Sequence, residues 1–264
     1  MAVNTYGLRE VADLTFFDLT TNEPFLYMDY ALTSTNEHSA DTTYATGGKG
    51  NPRRLAFDGN RQSTLTISTQ IIDFRLISLL AGADVEKGET NIFKREVLPA
   101  EVLPAEQQVD GYNVKITLSK IPVNSIVTVF PLSFDAVAEK KEKIITVTDN
   151  GDNGVVTIKT TGTVDTHYVA YYQFKSGNTA EKISFKAKNF PKYCRIVGDT
   201  LIKNEATGEN EPFQMIAHKA KPQANFTLTM ASEGDPTTLE MTFDLFASQE
   251  NDDEFISYVK YEID

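Results

Sequence analysis

The stretch LEMTFDLF, residues 239–246, sets Leu239, Met241, Phe243 and Leu245 at every second position, with Glu, Thr and Asp between them. A period of two fits a β-strand with one buried face and excludes a helix. The same alternation runs through STLTIST (Leu65, Ile67), YNVKITL (Tyr112, Val114, Ile116, Leu118), KISFKA (Ile183, Phe185) and NFTLTM (Phe226, Leu228, Met230). Denser β-branched and aromatic runs occur in TFFDL, FLYMDYAL, SIVTVF, KIITVT, GVVTIK, HYVAYYQF and FISYVKYEI. These compositions favour strands. The chain is therefore predicted to be mainly β and antiparallel, a sandwich or barrel.

Turn chemistry supports that reading. Asp149 to Gly154, DNGDNG, supplies several residues tolerant of positive φ between two β runs, which is a hairpin signal, and ATGEN at Ala206 to Asn210 is a second. One helix interrupts the pattern. In TQIIDFRLISLLAG, Ile72, Leu76, Leu79 and Leu80 stand at i, i+4, i+7 and i+8, with Ser68 or Thr69 as a start cap and Gly82 as a stop. These four residues are expected to form the core face of an amphipathic helix flanking the sheet. VLPAE occurs twice in succession from Val97 to Glu106, and its two prolines predict an extended connector rather than a strand or helix. Alternation resumes after it, so the chain is expected to be one domain, with an insertion or long excursion around residues 85–180.

Composition narrows the function. The net charge is −12 over 264 residues, and from Ser232 onward ten Asp or Glu stand against one base, Lys260. Nucleic-acid affinity is built from Lys and Arg, so a nucleic-acid binder is disfavoured. Such an acidic skew marks either a solvated face or a surface that must not hold an anion. The N-terminal stretch MAVNTYGLREVADL lacks the apolar core of a secretion signal, so synthesis in a cytoplasm is expected. One cysteine, Cys194, leaves no internal disulfide framework.

Candidate chemistry is sparse. The most basic and glycine-rich segment is YATGGKGNPRRLAFDG, residues 44–59; as a phosphate loop it would need Gly in place of Thr43 and a hydroxyl in place of Gly50. Two readings remain for it: a flexible surface loop, or a loop that orders against an acidic surface of another subunit. His38, His167 and His218 share no metal-ligand spacing. Lys192 and Arg195 beside Cys194 favour a thiolate, whereas Tyr193 and Ile196 favour an inert, half-buried thiol. DNGDNG fails the EF-hand template at Gly151, and Asp252-Asp253-Glu254 reads as a solvated loop. No catalytic, cofactor or metal residues are assigned, and no enzyme is expected.

The C-terminal segment FKAKNFPKYCRIVGDTLIKNEATGENEPFQMIAHKAKPQANFTLTMASEGDPTTLEMTFDLFA resembles the closing half of a bacteriophage tail tube protein, or major tail protein. The shared order is an F-P entry, a strand ending in V-G-D, a polar hairpin, E-P-F-Q-x-x-x-x-K-A-K, F-T-L-T-M, G-D-P and a last pair of strands. The N-terminal half is similar in layout: an alternating strand, a long Gly-rich loop, then Leu65 and Ile67 feeding a helix that ends in L-L-A-G.

The resemblance implies hexameric rings stacked into a tube, a virion location in the tail, and DNA passing through the lumen unbound. It implies further copies of this chain as the main partners, beside initiator or baseplate, terminator and tape-measure proteins and a sheath where the tail has one. No membrane is involved. It also implies that Thr46, Gly47, Gly48, Lys49, Gly50, Arg53 and Arg54 form an inter-ring loop. The alternative without the resemblance is an Ig-like binding or capsid-decorating module; a carbohydrate-active enzyme with paired carboxylates would need a pair that the sequence does not single out.

Overall fold

A computed structural model describes residues 5–108, 113–132, 143–149, 151–160, 164–230, 232–234 and 236–262. Tyr112 and Asn150, placed above in a strand and a turn, lie outside them. The protein is mainly antiparallel β, with one α-helix among the described residues, as its sequence pattern predicts. Its chain divides into two compact units, one made of Met1–Val85 with Ile183–Asp264 and the other of Glu86–Lys182.

The first unit contains β1 (Tyr6–Leu8), β2 (Asp13–Asp18), β3 (Pro24–Met28), β4 (Ala31–Thr46), β5 (Arg53–Thr69) and α1 (Phe74–Ala81). The second holds β6 (Glu86–Lys87), β7 (Asn91–Pro99), β8 (Glu101–Val102), β9 (Val114–Thr117), β10 (Pro122–Pro131), β11 (Lys143–Asp149), β12 (Gly154–Lys159), β13 (His167–Lys175) and β14 (Glu181–Lys182). The chain then returns to the first unit with β15 (Cys194–Asn204), β16 (Asn210–Pro222), β17 (Leu239–Leu245) and β18 (Ile256–Lys260).

In the first unit nine strands form one sheet, ordered β3-β2-β15-β16-β17-β5-β4, with β1 on β15 and β18 on β16. A flat sheet would hold β2 and β17 about 14 Å apart, three strand spacings. The Phe16 and Phe243 rings, one from each, instead lie 5.8 Å apart. The sheet therefore folds over on itself, and Leu14, Phe16, Leu26, Met28 and Ile196 pack against Leu65, Ile67, Met241 and Phe243 in one fully buried cluster. Its two terminal strands, β3 and β4, are joined by Asp29 and Tyr30 alone, yet they do not pair, so no barrel closes. Close packing reaches the backbone at Gly198, where a Cβ would meet Leu14, Ala12 and Met215 at 3.0–3.1 Å.

Helix α1 covers this core with Leu76 and Leu80, both buried, and the half-buried Leu79. It starts later than its periodicity predicts. Ser68 and Thr69 are taken up by the β5 ladder with β17, and Thr69 Oγ1 donates to the Tyr30 and Ile71 carbonyls, so neither caps the helix. Asp73 does so, accepting from the Arg75 N–H at 2.7 Å. Ile72 consequently precedes the helix and is 43% exposed. Gly82 ends it at φ +60 as expected, and a Cβ there would lie 2.3 Å from the Phe190 carbonyl.

The second unit is a small sandwich. One sheet runs β10-β13-β7 and the other β11-β12-β9-β8; Val129, Tyr168 and Ala170 of the first pack on Val114, Ile116, Val156 and Ile158 of the second. A two-stranded ladder, β6 with β14, joins the two ends of this unit, with Lys87–Glu181 and Lys182–Glu86 ion pairs at 2.8 and 3.5 Å. Glu96 of β7 points inward beside Tyr172, whose hydroxyl donates to it at 2.5 Å; Lys94 Nζ lies 2.7 Å away, and Ser119 donates from both its N–H and Oγ. Burial alone would raise the Glu96 carboxyl, but these four hydrogen bonds outweigh it and hold the group below the usual carboxylate range. Burial, followed by the bond to Glu96, pushes the Tyr172 phenol up to about 12.

Three predicted segments differ. The doubled VLPAE, expected to be a connector, instead supplies Val97 to Pro99 to the end of β7, Glu101 and Val102 to β8, and Ala105 and Glu106 to a 3-10 turn; β7 is an edge strand, and a proline at its end removes no ladder bond the sheet requires. KISFKA contributes only Lys182 to a strand and NFTLTM contributes none. Their aromatics pair with each other instead, Phe185 against Phe226 at 5.5 Å.

Candidate functional site: the projecting hairpin

β4 and β5 begin as core strands and end as something else. From Ser63 to Ile67, β5 alternates between the core and a half-buried outer face, and Ser68 and Thr69 are both buried, whereas from Arg53 to Gln62 every residue is exposed. On β4 every residue from Glu37 to Thr46 is likewise exposed. The pair thus leaves the sheet as an arm of ten residues per strand, about 33 Å at the usual strand rise. Both faces of the arm meet solvent.

The arm is held by its ladder and by a few side chains. Thr42 Oγ1 donates to Asp58 at 2.7 Å, and Asn60, at φ +50 where the register shifts, donates to Asp41 at 2.8 Å. At the tip Gly47 N–H donates to the Pro52 carbonyl at 3.2 Å and Asn51 N–H to the Gly48 carbonyl at 3.0 Å. Gly48, Gly50 and Asn51 take φ of +96, +82 and +50, which glycine and asparagine adopt with least strain. The segment read from sequence as a loop is therefore a built turn: Thr46, Arg53 and Arg54 stand on its strands, and Gly47, Gly48, Lys49 and Gly50 form its cap.

Its surface combines two chemistries. Tyr44, Leu55 and Phe57 are 45%, 61% and 59% exposed, apolar area that a solvated strand pair does not need. Lys49, Arg53 and Arg54 crowd the tip, and no acidic residue occurs between Thr42 and Phe57. A mixed apolar and cationic end on an extended arm suits an acidic, partly apolar protein surface.

The remaining candidates do not converge. Cys194 is buried in β15, and burial pushes its thiol up to about 12; Arg195 turns instead to Asn22 at 2.6 Å. His38 sits on the arm and His167 beside Thr166. His218 Nε2 meets Ser257 Oγ at 2.8 Å and Glu254 at 3.1 Å, a grouping the sequence spacing hid because β16 and β18 bring it together. Ser257 also donates to Glu254, and that bond, ahead of the one from His218, lowers the Glu254 carboxyl. A nucleophilic relay needs Ser and carboxylate on opposite ring nitrogens, and here both share Nε2, so the group clasps two strands. Among the described residues no three His, Cys, Asp or Glu side chains gather as metal ligands, and no helix is long and apolar enough to cross a membrane.

The sequence profile of the YomU/Tube protein family matches residues 6–260. The chain belongs to that family. The match spans both compact units, and at this level the resemblance read from the sequence stands, as that of a tube-type phage structural protein. No curated protein matches this YomU/Tube chain.

Proposed function

We propose that this YomU/Tube chain is the repeating subunit of a phage tail tube, a non-catalytic protein that forms stacked, hexameric rings through which DNA enters the host. The observation that carries the reading is the arm: about 33 Å of paired strand that covers none of its own core and ends in Tyr44, Lys49, Arg53, Arg54, Leu55 and Phe57. Such an arm has a physical purpose when it lies on another copy, where its apolar side chains are removed from water and its cations meet carboxylates. Unpaired edges at β3 and β4 supply a further means of self-association. The net charge of −12 suits a conduit whose cargo must slide without being held. Initiator, terminator and tape-measure proteins are the expected other partners, and the tail of the virion is the location.

Negative-stain microscopy and sedimentation of the purified protein test this. Rings or tubes are expected at high concentration or on addition of the tail initiator complex. A monomer at every concentration, with the initiator present, would overturn the proposal.

A further inference from the structure

In the first unit, Asp13 on β2 and Asp199 on β15 stand directly opposite each other in the ladder. Asp29 follows Met28, the partner of Leu14, and so continues the same row one strand further out. The neighbours Leu14, Gly198 and Met28 are buried, which sets all three aspartates on the outer face of the sheet, where each is exposed. Beside them Tyr27 is 56% exposed and donates to Asp13 at 3.2 Å, and Gln214 donates to Asp199 at 2.8 Å. Desolvation first, then Asp13 by charge and hydrogen bond, then the charges of Asp29 and Asp199, raise the Tyr27 phenol above its usual range. None of the three aspartates is ion-paired with a described cation. On β15 the cations Arg195 and Lys203 stand four residues away on either side of Asp199, about 13 Å. Like charges facing each other across a ladder oppose folding, so the row carries a cost that nothing in its own unit offsets.

We infer that this sheet face receives the arm tip of a second copy, with Lys49, Arg53 and Arg54 meeting Asp13, Asp29 and Asp199. The inference rests on the tube reading and names the surface on which the arm lies. Charge argues first. The tip has three cations and no acid between Thr42 and Phe57, and the face offers three carboxylates without a cation of their own. The row is about 10 Å long, two strand spacings, and among the described residues no three acidic side chains gather as metal ligands. Such a row suits cationic side chains spread over a strand end better than one ion. Position argues second. Asp29 lies two residues before β4, whereas the cations lie at or beyond its other end. β4 is 16 residues long, about 50 Å, and a paired ribbon of that length holds the two charges apart within one copy. Between copies they can meet, the tip of one on the root of the next. That contact is heterologous, and its repetition along one direction builds a stack. β3 ends the sheet without a partner on its far side, so the row is open to approach from that edge.

A charge swap in the full-length chain tests it, read by negative-stain microscopy and sedimentation. Asp13→Lys with Asp199→Lys should abolish assembly, and combining that pair with Arg53→Glu and Arg54→Glu should restore it. The milder pair Asp13→Asn with Asp199→Asn should melt no lower than the unchanged chain, since it removes a repulsion, and should still raise the concentration needed for assembly tenfold or more. Glu205→Lys, an exposed acid in the β15–β16 turn, should assemble as before. Failure of the unchanged chain to assemble overturns the tube reading, and this inference with it. If the unchanged chain assembles, this inference alone is overturned by assembly that persists in both aspartate pairs, because the face would then serve another partner. It is equally overturned if the swapped charges give no rescue in a chain that melts normally, or if Glu205→Lys blocks assembly as strongly, because net charge would then suffice.

Discussion

The Arg53 guanidinium lies over the Tyr44 ring, 4.0 Å from its centre, on the last paired rungs of the arm. The contact stiffens the tip from within and leaves the Arg54 and Lys49 charges to whatever the arm meets. Replacing Arg53 and Arg54 by Glu should leave the melting temperature within a few degrees, since exposed charges contribute about 0–1 kcal/mol to folding. The same double change should abolish tube formation, because like charges across an interface cost several kcal/mol. If the arm served DNA, tubes would persist and a salt-sensitive DNA affinity would fall; microscopy beside a DNA titration separates the two.

Hydrogen exchange should grade along β4 and β5. Amides from residues 63–69, covered on one face, are expected to exchange only with global unfolding. Those from 39–58, wet on both faces, should open at far lower free energy in the free subunit. Assembly should slow the second group and spare the first. Uniform protection along both strands in the free subunit would refute an arm held only by its own ladder.

The fold-over of the large sheet makes Phe16 and Phe243 costly to truncate. Either change to Ala should destabilise the first unit by about 3–5 kcal/mol in urea unfolding, from lost burial and the cavity left behind. Truncating Phe57, which is 59% exposed, should change stability by less than about 0.5 kcal/mol.

Gly82→Ala should cost at least about 2 kcal/mol. It combines a left-handed backbone with a Cβ placed 2.3 Å from the Phe190 carbonyl, whereas Gly50→Ala, with open space around it, should carry the backbone strain alone. Thermal melts of the two variants distinguish clash from strain.

Tyr172 and Glu96 give the second unit opposite pH limits. The folded phenol titrates near 12 against an ordinary value of 10.0, so its contribution is complete below pH 10 and vanishes as pH rises toward 12. The folded carboxyl lies below its ordinary 4.5, so its contribution is complete above that value and is lost as pH falls. Tyr172→Phe should flatten the alkaline limb of a denaturant midpoint against pH, and Glu96→Gln the acid limb.

Alternation located the strands that have one buried face, and it did so well: Leu239 to Leu245 and Leu65 to Ile67 are paired and buried as read. It failed where a segment is one-sided without a ladder. Phe185 and Phe226 satisfy each other, so KISFKA and NFTLTM alternate yet pair with nothing along most of their length. It was silent where neither face is buried, which is why residues 44–59 read as loop although most of them are paired between the two strands. The His218, Glu254 and Ser257 clasp was invisible for another reason: it depends on β18 choosing β16, a pairing no local pattern encodes.

The order in which these parts leave the ribosome follows from the position of the second unit in the chain. Residues 1–85 carry Leu14, Phe16, Leu65 and Ile67, but the strands that cover them, β15 to β17, lie beyond residue 182. At about 5–20 residues per second, roughly 10–35 s of further synthesis separate the first half of that core from its completion. During that interval all the described strands of the second unit, which pair with one another, have already been synthesised. A nascent subunit thus spends its longest stage with one fully synthesised module and one open apolar sheet. In the proposed tube, completion of the last strands, rather than emergence of the arm, sets when a copy becomes fit to assemble.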